Sequence, residues 1–276
     1  MDYKIVMDSA GDLQTLEQPD FANVPLKILA GDQEFVDVAD TDVEEMVDYL
    51  STYKGRSSTA CPSAGEYLEA FGDAQNVYCV TITSGLSGSY NAAAVAAQTY
   101  QEQYPDRRIH VFDTLSAGPE MTLIAEKIRE LVQQKLSFDK IVELVESYNG
   151  KTQLAFSLES LHNLAQNGRV PGAVAKLAGI LSLRLIGKAS DQGTLQPTGK
   201  ARGSQKVPGE LLKQLISMGY NGGKVRIHHC CNLPSASQLK DAILERFPGA
   251  SIVVAKAGAL CSFYAERGGL LVGFET

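Results

Sequence analysis

The residues of this chain best placed to do chemistry are small hydroxyls set in glycine-containing loops behind apolar runs. The clearest case is Ser84-Gly85-Leu86-Ser87-Gly88-Ser89, which follows the β-branched run Val77–Thr83 and precedes an alanine-rich segment from about Tyr90 to Tyr100. A strand-to-helix turn of this kind offers serine hydroxyls together with the free N–H groups and positive dipole end of the helix, a favourable setting for a carboxylate or a phosphate. Gly85 and Gly88 let a ligand approach the backbone closely. Ser116 sits in a second such loop, Asp113–Gly118, and Asp8 and Ser9 in a third. The alternative for Ser87 and Ser89 is a plain helix-capping role.

The same inventory is poor in catalytic partners. Gly85-Leu86-Ser87-Gly88-Ser89 misses the G-x-S-x-G nucleophile elbow at its fifth position, where Ser89 stands in place of glycine. A serine hydrolase also needs a base. His110, His228 and His229 lie in strand-like runs and His162 on an expected helix, so none is an obvious candidate. No P-loop, dinucleotide fingerprint or zinc-ligand spacing is present. Cys61, Cys79, Cys230, Cys231 and Cys261 form no C-x-x-C pair, and their odd number argues against a disulfide framework; they read as core thiols. These residues suit oxyanion binding, with an enzyme acting on a small carboxylated or phosphorylated metabolite as the competing reading.

The elements that must position these loops alternate. Strands are expected at Tyr3–Met7, Val24–Leu29, Val77–Thr83 and Arg108–Phe112. Helices are expected at Asp42–Tyr53, Gly65–Phe71, Tyr90–Tyr100, Met121–Lys135 and Phe138–Tyr148, with Thr59–Ser63 a loop. Such alternation signals an α/β fold with a mainly parallel sheet covered on both faces, and ligands of such sheets gather at the carboxyl ends of the strands. Beyond Gly150 the pattern changes. Strands are expected at Leu154–Ser157, Lys224–Cys230 and Ser251–Val254, and helices at Glu159–Gln166, Gly172–Leu183 and Ser235–Phe247. A hairpin is expected through Gly193 to Pro197. Two lobes, residues 1–150 and 151–276, follow from this change of pattern.

A net charge of −7 disfavours nucleic acid as the main partner. Between Ser160 and Lys224, however, nine bases face two acids, which fits either an anionic ligand or acidic partner or a set of solvated lysines. The first residues carry acids where a signal peptide needs bases, and no apolar run approaches a membrane span, so a cytoplasmic protein is expected.

Six stretches taken in order resemble the DegV family of bacterial fatty-acid-binding proteins: Ile5–Leu13, Val24–Leu26, Thr59–Glu66, Thr83–Tyr90, Asp113–Ala117 and Asn167–Arg169. The resemblance implies two α/β lobes around an apolar tunnel for one long-chain fatty acid, with no cofactor and no catalytic step. It assigns the carboxylate to Thr59 and Ser87; the strand-end loops themselves offer Ser84, Ser89 and Ser116 as further head-group candidates. Some family members present the bound acid to a separate ATP-using kinase, and the arginines implicated in that docking fall on Arg169 and Arg202. Tyr264 stands where the family often has a histidine at the carboxylate, with ordinary packing as its alternative. Ala60 and Cys61 replace the family's usual Ser-Gln, and Asn167 replaces a glycine. Tunnel-wall candidates are Val174, Leu177, Ile180, Leu181 and Leu260–Phe263, each equally good core material.

Overall fold

The computed structural model describes residues 3–17, 20–170, 174 and 183–276. The chain enters through β1 (Tyr3–Asp8), a short 3-10 turn (Ser9–Gly11) and β2 (Asp20–Val24). Pro25 then breaks the run that the sequence presents as one strand. The chain leaves the first sheet after Val24, Leu26 N donates to Ser9 Oγ at 3.0 Å, and β3 (Lys27–Ala30) begins in another sheet. Proline's missing N–H and fixed φ make this the natural exit. β4 (Gln33–Val36), α1 (Val43–Thr52) and β5 (Ser57–Ala60) follow, and β4-β3-β5 form a small antiparallel sheet. Thr59 therefore lies on a strand opposite Ile28, not in the expected loop.

Next come α2 (Ala64–Phe71), β6 (Asn76–Thr81), α3 (Ser89–Gln103), β7 (Arg108–Asp113), α4 (Pro119–Gln133) and α5 (Phe138–Asn149). Strands β2-β1-β6-β7 form an all-parallel sheet with α2 and α3 on one face and α4 and α5 on the other. β6 is apolar nearly throughout because both its faces are covered. α3 has little amphipathic character, and its Ala93 and Ala96 instead pack closely with Tyr67 and Phe71 of α2.

The remainder comprises β8 (Thr152–Leu158), α6 (His162–Gln166), β9 (Leu183–Ala189), β10 (Leu195–Arg202), α7 (Val207–Ser217), β11 (Lys224–His229), α8 (Leu233–Arg246), β12 (Ser251–Lys256), α9 (Ala259–Ala265) and β13 (Leu270–Glu275). Its sheet, in the order β10-β9-β8-β13-β11-β12, is antiparallel except between β11 and β12. Elements α7, α9 and β13 are not among those expected from the sequence. The apolar helix expected over Gly172–Leu183, with Leu177, Ile180 and Leu181, falls outside the described residues except for Val174, half-buried against the core, and Leu183, which opens β9. Among the described residues no helix is long and apolar enough to cross a membrane.

Helix α4 joins the two large sheets. Met121, Ile124, Ala125 and Ile128 enter the core beneath β1 and β6. Its opposite side meets β11 and β13: a side chain at Gly273 would bring its Cβ to 2.4 Å from Glu120 N, so only glycine admits the helix there. Arg226 of β11 is 7% exposed and forks onto Glu126 of α4, Nε to Oε1 at 3.0 Å and Nη2 to Oε2 at 2.6 Å. Removing one member of such a pair strands the other charge. Arg226→Met should therefore cost about 3–5 kcal/mol in urea unfolding, and Glu126→Leu added to it should restore most of that loss.

Candidate functional site

A cavity of about 160 Å³ lies where the three sheets meet. Its lining is mostly apolar. Leu154, Phe156 and Leu158 alternate along β8 and so share one face, and Leu195 of β10 and Leu271 of β13 add to the wall. At its polar end the lining includes Thr59, Ser87, Arg169 and Tyr264.

Thr59 comes from β5 and Tyr264 from α9, 205 positions apart, yet Oγ1 and the phenol oxygen share a hydrogen bond of 2.7 Å. Burial pushes the Tyr264 phenol up, opposed by that hydrogen bond and by the charge of Arg169, so the hydroxyl keeps its proton at neutral pH. Ser87 Oγ accepts from Ser89 N at 3.2 Å and shares a further bond with Ser89 Oγ at 3.0 Å. The N-cap of α3 is Gly88, with no side-chain cap bond. Ser87 thus fastens its own turn, and an oxygen that accepts from an N–H still has a proton to donate. Arg169 donates from Nε to Leu86 O at 3.2 Å and from Nη1 to Asn167 O, which seats its guanidinium beside the Ser87 loop. Asn167 has right-handed backbone (φ −96), and the left-handed residue is Gly168 (φ 70).

The other expected site residues lie outside this lining. Ser84 is exposed, its N–H donating to Asp113 Oδ1 at 3.1 Å. Ser89 is buried behind Ser87. Ser116 is buried and donates to Glu120 Oε2, and Glu120 also accepts from Thr152 Oγ1 at 2.9 Å. Arg202 is exposed on β10, an edge strand. Of the tunnel-wall candidates, Leu260 and Cys261 face the cavity, and Ser262 and Phe263 do not.

Sequence reasoning missed Leu26, Ile82 and Cys61 as lining residues. Cys61 departs from the expectation of core thiols, since it is exposed at the cavity, whereas Cys79, Cys230 and Cys261 are buried. A Cβ on Gly88 would sit 3.1 Å from Cys61 Sγ, so the Ser87 loop and Cys61 face each other closely. Cys61 stands just past the end of β5, two positions after Thr59, and the sequence, which reads Thr59–Ser63 as a loop, carries no signal for its place in the lining. Among the described residues no histidine lines the cavity. His228 Nδ1 pairs with Asp12 Oδ2 at 2.8 Å, His229 Nδ1 accepts from Asn232 N, His110 meets Glu146, and His162 is exposed. Ser87 therefore has no imidazole base within the cavity lining.

Buried carboxylates stand behind the walls. Asp8 accepts from Ile82 N at 2.9 Å and Tyr67 OH at 3.2 Å, and burial nonetheless pushes its pKa up to about 7. Burial likewise lifts Glu120 to about 7, and burial with the charge of Asp12 lifts Asp37 to about 6. Each folded value is above the unfolded one, so each group's contribution is full below about pH 4 and is lost as pH rises through 6 to 7. Thermal stability should accordingly fall between pH 5 and pH 8. Asp8→Asn should flatten that slope, since each tenfold difference in proton affinity between the folded and unfolded chain is worth about 1.4 kcal/mol; differential scanning fluorimetry across this range checks it.

Residues 2–276 match the family model described as "Uncharacterised protein, DegV family". A DegV domain-containing protein of Streptococcus pneumoniae is 43% identical over 279 residues, covering 100% of this chain and 99% of that one. Among solved structures, a DegV family protein from Eubacterium eligens loaded with heptadecanoic acid superposes with a TM-score of 0.96 at 43% identity, covering 99% of both chains. The Streptococcus pneumoniae fatty acid kinase B3 protein, loaded with linoleic acid, superposes with a TM-score of 0.97 at 43% identity, covering 100% of this chain and 99% of that one. On sequence and on fold alike, this chain belongs to the DegV family.

Proposed function

We propose that this protein binds one long-chain fatty acid with its acyl chain in the apolar cavity and its carboxylate at Thr59, Ser87 and Tyr264, and that it presents the bound acid to a separate kinase without chemistry of its own. The observation that carries this reading is the union of an apolar cavity with a cluster of neutral hydroxyl donors at one end. Burying an acyl chain releases about 0.8 kcal/mol per CH₂, so the chain supplies the affinity. A carboxylate taken out of water needs donors, and hydroxyls meet that need without burying further charge. Among the described residues no histidine lines the cavity beside Ser87, which favours holding over hydrolysis. Tyr264 keeps a proton to donate where the family often has histidine.

Presentation to a kinase is supported by the likeness to a fatty acid kinase B protein and by the position of Arg202. In this reading Arg202 docks the partner, and Arg169 stands at the cavity wall where head group and partner meet. The protein acts in the cytoplasm, with residues 1–150 and 151–276 as its lobes.

Native mass spectrometry of gently purified protein should show a co-purified acyl-chain mass; no lipid together with no uptake of added oleate would overturn the reading. Ser87→Ala should weaken oleate binding by roughly 10- to 100-fold, the worth of a hydrogen bond to a charged group, with an unchanged circular dichroism spectrum. Arg202→Ala should keep oleate affinity and lose acyl-phosphate formation when the cognate kinase and ATP are supplied. Equal loss of both would contradict the separation of binding from docking.

A further inference from the structure

Helix α9 carries Leu260, Cys261 and Tyr264 to the cavity, yet its seven residues are too few to hold a helix in place by themselves. Its N-cap is Gly258, which has no side chain to satisfy the first N–H groups. Two carboxylates from the opposite end of the chain do so instead. Gly258 N donates to Asp12 Oδ1 at 2.8 Å, and Ala259 N donates to Asp37 Oδ1 at 2.7 Å. Asp12 is held in turn by His228 of β11, and both side chains are almost wholly buried. Asp37 is 0% exposed and follows β4 of the small sheet that also contains Thr59. An anion at a helix start is favoured by the helix dipole. More than 200 positions separate each donor from its acceptor, so these bonds locate the helix in the tertiary structure.

The fit is tight. A Cβ on Gly258 would lie 2.9 Å from Asp12 Oδ1 and 3.0 Å from Asp37 Oδ1. Ala259 and Tyr264 are about 7.5 Å apart along the helix axis at 1.5 Å per residue. A shift at the anchored end is therefore carried directly to the phenol that must stay within reach of Thr59.

We propose that Asp37, backed by Asp12, is a positioning residue for the head-group contact: by accepting from the first N–H groups of α9 it sets the register that brings the Tyr264 hydroxyl onto Thr59. Its effect on ligand affinity rests on the fatty-acid reading; its effect on the Tyr264–Thr59 contact does not.

The test is a double-mutant cycle of Asp37→Ala and Tyr264→Phe, with Asp37→Asn beside it. Each protein is measured for oleate affinity, by displacement of a fluorescent fatty acid, and for urea unfolding without ligand. Each single variant should weaken oleate by about tenfold and the double variant by no more, because both remove the same contact. Asp37→Asn keeps an acceptor oxygen for Ala259 N and should bind oleate within about twofold of the parent. A product of the two single losses in the double variant, or unchanged affinity in folded Asp37→Ala, overturns the proposal. Should Asp37→Ala fail to fold, Asp37→Asn decides alone, and a tenfold loss there overturns it. A parent protein with no affinity for oleate would sink the fatty-acid reading; non-additive unfolding energies in the ligand-free cycle would still support the positioning role, and additive ones would overturn it.

Discussion

Helix α4 is buried on two sides because it has a sheet on each, and the rest of the structure depends on that double packing. Toward β1 and β6 it buries Met121, Ile124 and Ile128, where the hydrophobic effect holds it. Toward β11 and β13 the contact is closer and more polar, with Gly273 admitting the helix backbone and Arg226 forking onto Glu126. A buried pair of this kind adds little stability over an apolar one, but it penalises any other register, since a slip leaves two charges unpaired. The cavity exists because the parallel sheet and the larger mixed sheet are held in this relation, with the small sheet of β3, β4 and β5 closing the third side.

The polar end of the cavity shows which side chains desolvation leaves there. A carboxylate in an apolar surrounding is costly alone. The residues gathered there supply protons mostly from neutral hydroxyls, with a single guanidinium at the wall whose Nε and Nη1 already serve backbone carbonyls. Behind the same walls Asp8, Asp37 and Glu120 are carboxylates that burial has raised toward neutrality, and each accepts from backbone or hydroxyl donors of a different element. The acids fasten walls, and the hydroxyls face the interior.

Much of the first sheet was legible because its signals are local. The run Val77–Thr83 and the apolar spacing of α4 and α5 are each decided within a few residues. What eluded reading was non-local. β5 is four residues of Ser-Ser-Thr-Ala, polar and short, and becomes a strand only because β3 lies beside it. α9 depends on Asp12 and Asp37, and β13 on having β8 and β11 as neighbours.

Ser87 illustrates the division between sequence and fold. Composition and spacing determined that a serine would stand between two glycines at the start of a helix, without a histidine nearby in sequence, and motif order determined the family. Only the tertiary structure decided how the hydroxyls that the resemblance names meet around it. It brought Thr59 and Tyr264 to 2.7 Å of one another and Arg169 to the wall, and left Ser84 and Ser116 outside the lining. The physical reason is that loop and helix starts are governed by neighbours in the chain, whereas a cavity is what remains when three sheets have packed.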